Sequence, residues 1–98
     1  MISGLDPVIH APKRLAAMAI LANAPTASFR FLREQLDIAE SDLSKQMSTL
    51  ESSGYVTSVK GGRGKGASTT YKMTNAGQQA YEAHCAALRA LIDGALSG

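Results

Sequence analysis

The chain has 98 residues and a net charge of only +2, with 45% hydrophobic and 18% charged residues and no tryptophan. This length favours one small domain, and the composition is typical of a globular chain rather than a disordered one. No apolar run reaches the roughly 18 residues of a membrane span, and the N-terminus lacks the pattern of a signal peptide. We therefore expect a cytoplasmic protein without membrane contact, and a chain too short to favour an enzyme with its own deep pocket.

Candidate metal ligands and nucleophiles are few. Cys85 is the single cysteine, so it cannot form an internal disulfide, and with His10 and His84 it offers too few ligands for a zinc site. His84 and Cys85 are adjacent, so on a helix they point about 100° apart. We expect no metal, no cofactor and no catalytic residue; metal or disulfide chemistry between two copies is the alternative.

The basic residues cluster in one part of the sequence. Residues 56–73 contain four basic residues and no acidic one, whereas residues 30–55 have a net charge of −2. A basic stretch on a nearly neutral protein indicates a local patch, which suits a polyanion better than a small ligand.

Three helices are predicted in the first half of the chain. Pro12 can occupy a first helical turn, and apolar residues at helical spacing predict a helix over Pro12–Ala22. Ala27–Phe29 is either a brief strand or the entry to a second helix, Arg30–Leu36. After the three-residue connection Asp37–Ala39, a third helix is predicted over Glu40–Ser53.

The end of the third helix and the segment after it have clear signals. Gly54 at the C′ position would pair Leu50 with Tyr55 in a Schellman ending. Two strand-like runs, Tyr55–Lys60 and Ala67–Met73, flank a glycine-rich turn, which is a hairpin signal. Thr74 then precedes a long helix from Asn75 to about Leu96 as its N-cap.

This order predicts a mostly helical α+β fold, a winged helix-turn-helix forming one domain over residues 1–98. The helix-turn-helix covers about 30–53, the wing about 56–73 and the long C-terminal helix about 75–96.

The third helix has a polar face opposite Leu43, Met47 and Leu50. This face is either an ordinary solvated surface or, because short side chains let a helix lie deep in a groove, a contact to double-stranded DNA. We favour the DNA contact because a wing follows, with Gln46 and Ser52 ranked lower. The candidate residues on this helix are Ser41, Ser44, Lys45, Ser48 and Thr49.

The glycine-rich turn, Gly61–Gly66, lacks the pattern of a phosphate-binding P-loop and has no helix after it. It is either a hairpin tip with incidental charges or a wing that orders on DNA, and we favour the wing. Its basic residues would contact phosphate or the minor groove. They are Lys60, Arg63, Lys65 and Lys72.

The C-terminal helix carries an apolar stripe that a domain this small cannot cover completely. Exposing the whole stripe would leave a large apolar patch on a monomer, so we expect a two-fold dimer through this helix, helped by the first helix. The predicted interface consists of Tyr81, His84, Cys85, Leu88, Leu91, Ile92 and Ala95.

Several short motifs resemble a known family. Leu5–His10 with Pro12, Arg14 and Leu15 matches the opening "LDPVIH-x-P-x-R-L" of a small stand-alone winged-helix family. The segment from Tyr71 to Gly77 resembles the strand-to-helix junction of MarR-like transcriptional regulators, and so do Leu32–Leu36, Leu43–Met47, Leu50-Glu51 and Gly54–Val56. The resemblance extends over nearly the whole chain.

The resemblance implies a homodimeric DNA-binding regulator, a repressor or an activator, that places its third helix in the major groove of a pseudo-palindromic site. A small effector in the cleft between the DNA-binding and dimer parts is an open question. Two departures are Ala39, which cannot cap the third helix where relatives have Ser or Thr, and the sparsely charged wing. Glu40 and Asp42 would repel phosphate if they faced DNA. The alternatives are a protein-binding winged helix and an architectural DNA binder without sequence preference.

Overall fold

The structure is a computed structural model that describes residues 4–61 and 68–97, with side chains described up to residue 94. The wing-tip candidates Arg63 and Lys65, and the side chain of Ala95, lie outside the described residues. The element order confirms the predicted winged helix-turn-helix. The elements are α1 (Pro7–His10), α2 (Pro12–Ala22), β1 (Ala27–Ser28), α3 (Phe29–Leu36), α4 (Glu40–Ser52), β2 (Val56–Gly61), β3 (Ser68–Met73) and α5 (Asn75–Ser97).

The short helix α1 is absent from the sequence prediction. Its N-cap is Asp6, whose Oδ1 accepts hydrogen bonds from the backbone N–H groups of Val8 (2.8 Å) and Ile9 (3.2 Å). Pro7 occupies the first turn, where a missing N–H has no cost. The Asp-Pro pair was therefore a start signal, but a four-residue helix is too short to show a periodic stripe.

The end of α4 confirms the predicted Schellman motif. Gly54 has a φ of +78°, which favours glycine. Its N–H donates to the carbonyl of Glu51, and the N–H of Tyr55 donates to the carbonyl of Leu50, both at 3.0 Å. The chain therefore turns sharply from α4 into the wing.

The strands form a small antiparallel sheet in the order β1-β3-β2. Ala27 of β1 pairs with Tyr71 of β3, and Ser58 of β2 pairs with the same residue on its other side. The two alternatives considered for Ala27–Phe29 are thus both partly right, because Ala27–Ser28 is a strand and Phe29 begins α3. Pairing with β1 places the start of α3 beside the wing.

The core lies between α2, α3, α4 and the sheet. The predicted inner face of α4 is confirmed, since Leu43, Met47 and Leu50 are all fully buried. The remaining buried apolar residues come from every other element except α5 among the described residues, and they are Ile9, Ala17, Met18, Leu21, Ala27, Leu32, Val56 and Tyr71.

Helix α5 packs on the body mainly through its first half. Thr74 is its N-cap, as predicted, since its Oγ1 accepts from the N–H of Gly77 at 2.9 Å. Gly77 and His84 are buried and Tyr81 is half-buried, whereas Leu91 and Ile92 are exposed.

The protein measures 56 × 26 × 21 Å. Within the described part of the chain, no helix has the length and apolarity needed to span a membrane.

The segment before α1 links α5 to the end of α4 through Asp6. The backbone N–H of Asp6 donates to Nδ1 of His84 at 3.0 Å, and the Tyr55 hydroxyl donates to Oδ2 of Asp6 at 2.5 Å. This last bond raises the pKa of Tyr55. Although burial alone would raise the pKa of Asp6, the hydrogen bonds from Tyr55, Ile9 and Val8 lower it below its ordinary value.

His84 is fully buried within its own chain, and its Nε2 has no hydrogen-bond partner among the described residues. Because Nδ1 accepts from Asp6, the ring proton is on Nε2 and the imidazole is neutral. Burial, and then the neighbouring ring of His10 at 5.4 Å, lower the pKa of His84, and the carboxylate of Asp6 opposes them. Protonation would put an N–H at Nδ1 opposite the N–H of Asp6.

We therefore expect the stability of the protein to fall as the pH falls below the ordinary histidine pKa of about 6.5. The unfolded chain takes up a proton there, while folded His84 resists it, so acid favours unfolding. The free energy of unfolding, measured with denaturant at pH 7.5 and 5.0 and one protein concentration, checks this. His84→Asn keeps an acceptor near the Nδ1 position and should lose part of the pH dependence. Equal pH dependence in both proteins would contradict the assignment to His84.

Candidate nucleic-acid interface

The outer face of α4 carries the residues that the sequence singled out. Ser41, Ser44, Lys45 and Ser48 are exposed. Thr49 is half-buried, and its hydroxyl donates to the carbonyl of Lys45 at 3.1 Å. The face thus presents three short hydroxyls and one lysine, which is a shape that allows close approach to a groove of DNA.

A groove of about 660 Å³ separates α4 from the sheet. Ser44 and Ser48 line it on the α4 side, and Ser58 and Lys60 line it on the β2 side. Arg30, at the start of α3, lines it as well. The structure therefore brings Lys60, predicted as a phosphate contact of the wing, next to Ser44 and Ser48 of α4, and it adds Arg30 as a second cation at the groove.

Lys72 does not join this groove. Lys60 of β2 pairs with Thr69 of β3, and this pair lies on the side of the sheet that contacts α4. Lys72 of β3 pairs with Thr57 of β2. Because side chains alternate along a strand, this second pair lies on the other side of the sheet. Its side chain lines a different, shallow depression next to the end of α2 and the start of α5, together with Pro25 and Gln78. The two wing lysines that the sequence grouped thus lie on opposite faces of the sheet.

Arg30 was missed as a candidate by sequence reasoning. It is exposed, and its Nε lies 3.0 Å from Oε1 of Glu34 one turn later on α3. The signal that would have found it is the pairing of β1 with β3, because this pairing brings the first residues of α3 to the wing. A two-residue strand gives no usable alternation pattern.

The acidic residues of α4 have different surroundings. Glu51 accepts a hydrogen bond from the hydroxyl of Ser58 at 2.8 Å, and Glu40 is exposed beside the groove. Asp42 forms an ion pair with Lys13 of α2 and accepts a hydrogen bond from Gln46 at 2.9 Å. The hydrogen bonds from Lys13 and then Gln46 hold the pKa of Asp42 below its ordinary value. Ala39 provides no side-chain cap, as expected.

The candidate dimer residues on α5 differ in exposure. Tyr81, Cys85 and Leu88 are half-buried, and Leu91 and Ile92 are exposed by 42% and 48%. Burial, and then a hydrogen bond with Cys85, raise the pKa of Tyr81. His84 is an exception, since its side chain is buried against α1 of the same chain and is not available to a second copy.

The geometry defines a winged helix in which α4, the second helix of the helix-turn-helix, is exposed beside the wing. A family model described as "Winged helix DNA-binding domain" matches residues 13–92. The chain belongs to this family. A search of curated proteins finds no match.

Solved structures agree with this assignment. A transcriptional regulator homologue from Pyrococcus horikoshii OT3 is 26% identical, with a TM-score of 0.81, over 89% of this chain and 86% of that one. A regulator assigned to the MarR family from Enterococcus faecalis V583 is 21% identical, with a TM-score of 0.77, over 92% and 81%. The heme sensor PefR from Streptococcus agalactiae, solved with heme, is 23% identical, with a TM-score of 0.79, over 94% and 64%. The fold is thus that of MarR-type transcriptional regulators.

Proposed function

We propose that this protein is a homodimeric transcriptional repressor that binds a pseudo-palindromic site in double-stranded DNA. Helix α4 enters the major groove, and the wing contacts the backbone or the minor groove. The observation that carries the proposal is the outer face of α4, which offers Ser41, Ser44, Lys45 and Ser48 to solvent beside Lys60 in a member of a DNA-binding family. A dimer bound to such a site represses by occupying the duplex, which requires no further surface.

The low net charge favours a protein that recognises the sequence or shape of DNA over an architectural binder. Non-specific affinity comes mainly from counterion release at each neutralised phosphate, and a net charge of +2 supplies little of it. The hydroxyls and Lys45 on α4 can instead contact base edges. A protein-binding winged helix would be expected to carry aromatic or apolar anchors on this face, and the face has none among Ser41, Ser44, Lys45 and Ser48.

The exposed end of α5 supports the dimer. Leu91 and Ile92 lie on the half of α5 that extends away from the body, and both are more than 40% exposed. A second copy related by a two-fold axis would cover them, together with Leu88 and Cys85, and would present two α4 helices to one duplex. Half-sites one DNA turn apart, about 34 Å, would then be bound together.

We expect Lys45→Ala to lower the affinity for the specific duplex by about tenfold and to reduce the preference for it, since a good base contact contributes about 1–3 kcal/mol of discrimination. The measurement is a titration of the protein on duplex DNA from upstream of its own gene, against a scrambled duplex, at two salt concentrations.

Lys72→Ala is the matched control, because it also removes one lysine charge, but from the face of the sheet that points away from α4. It should change affinity less and leave the ratio between the two duplexes intact. If Lys45→Ala and Lys72→Ala behave alike, the assignment of α4 as the reading helix is wrong. If the wild-type protein binds no duplex with preference, the proposal gives way to the architectural or protein-binding alternative.

A further inference from the structure

Asp42 lies in the first turn of α4, on the side that faces α2. Its Oδ2 forms an ion pair with Nζ of Lys13, and its Oδ1 accepts from Nε2 of Gln46 at 2.9 Å. The side chains of Asp42 and Lys13 are 28% and 49% exposed, so the pair lies at the surface. Both carboxylate oxygens are engaged by groups on the α2 side of the helix.

Gln46 is held in place from the other end. Its Oε1 accepts from Nη1 of Arg14 at 2.7 Å, and Nε of Arg14 donates to the carbonyl of Val8 at 2.6 Å. Both ends of the Gln46 amide therefore have partners, and one N–H of Nε2 holds the carboxylate of Asp42. This chain of contacts ties α4 to α2 and α1 through polar atoms.

Asp42 carries a negative charge close to the face of α4 that is proposed to bind DNA. Its pKa lies below the ordinary value because Lys13 and Gln46 hydrogen-bond to the charged form, so the carboxylate is ionised at neutral pH. Phosphates approaching the first turn of α4 would come within the Debye length of about 8–10 Å. An unpaired carboxylate at this place would repel them.

We propose that Lys13 is a positioning residue for DNA binding, which acts through Asp42 by holding its carboxylate against α2 and neutralising its charge, and does not itself contact DNA. The inference rests on the proposed function of α4. Helix α4 has two acidic residues in its first turn, and Asp42 is one of them. The inference explains how this helix can face a polyanion, since Lys13 of α2 neutralises Asp42 on the side away from the DNA.

A double-mutant cycle tests the inference. Lys13→Met keeps the alkyl stem and removes the charge, and we expect it to lower the affinity for the specific duplex about fivefold, within the coupling range of contacting residues. In a protein that already carries Asp42→Asn, the same substitution should change affinity by less than about twofold. Unfolding curves of all variants check that the fold is intact.

Glu40→Gln is the control for net charge. Glu40 is in the same turn of α4 but lies beside Phe29 and Arg30, on the groove side of the helix. In the Glu40→Gln background, Lys13→Met should keep its full effect. An equal loss on Lys13→Met in the wild-type and Asp42→Asn backgrounds would mean that Lys13 acts independently of Asp42 and would overturn the inference. Equal rescue by Glu40→Gln would overturn it as well. Wild-type protein that binds no duplex with preference would instead overturn the proposed function, and the inference with it.

Discussion

Gly77→Ala is expected to destabilise the fold by about 3 kcal/mol, at the upper end of typical overpacking costs. A Cβ at this position would lie 2.1 Å from the carbonyl oxygen of Tyr55 and 2.9 Å from its carbonyl carbon. Both are backbone atoms, so no side chain can move aside, and the start of α5 would have to shift away from the end of α4. The free energy of unfolding in denaturant measures the effect.

Gly94→Ala provides the matched control within the same helix. A Cβ at Gly94 meets nothing within 4 Å, so only the intrinsic preference of helices for alanine remains, which should stabilise the protein by up to about 1 kcal/mol. Helix propensity predicts the same sign at both glycines, and packing reverses it at Gly77. Should Gly77→Ala be as stable as the wild-type protein, the close contact with Tyr55 would be wrong.

The second large effect is expected at the free end of α5. Replacing both Leu91 and Ile92 by serine should weaken the proposed dimer by more than about 100-fold, because four half-exposed side chains, two from each copy, would lose apolar contact worth at least about 3 kcal/mol together. Sedimentation equilibrium over a range of concentrations measures the dimer dissociation constant. Affinity for a two-half-site duplex should fall in parallel.

Serine adds no charge, so long-range electrostatics towards DNA are unchanged. The control is Phe31→Ser, because Phe31 is 46% exposed, like Ile92, but lies on α3. This variant should dimerise as the wild-type protein does. A double serine variant that stays dimeric at the same concentrations would show that the copies associate through another surface or that these residues contribute little.

The sequence predicted the elements well where a local signal was strong. Pro12 marked the start of α2, Gly54 the end of α4 and Thr74 the start of α5, because each residue type has a specific backbone or capping role. Helix α1 and strand β1 are too short for periodicity, and β1 exists only because β3 lies beside it.

The candidate site was predictable in part. Helical periodicity correctly assigned the outer face of α4, since exposure follows from the position of Leu43, Met47 and Leu50. Strand pairing decided that Lys60 and Lys72 point to opposite sides. The burial of His84 and the pairing of Asp42 with Lys13 depend on contacts between residues 29 or more positions apart. Sequence reasoning had no means to pair them.

Tyr55 joins the helix proposed to read DNA to the helix proposed to dimerise. Its N–H donates to the carbonyl of Leu50 in α4, and its own carbonyl accepts from the N–H of Thr74. Gly77 of α5 packs so closely against the same carbonyl that a Cβ would not fit. Helix α4 is about 20 Å long at 1.5 Å per residue, so a small change in its direction at Tyr55 displaces its far end by a larger distance. A rotation of about 10° at Tyr55 would move its far end by about 3–4 Å, which is close to the rise of one base pair. Substitutions at Tyr55 or Gly77 would therefore change the half-site spacing that the proposed dimer accepts.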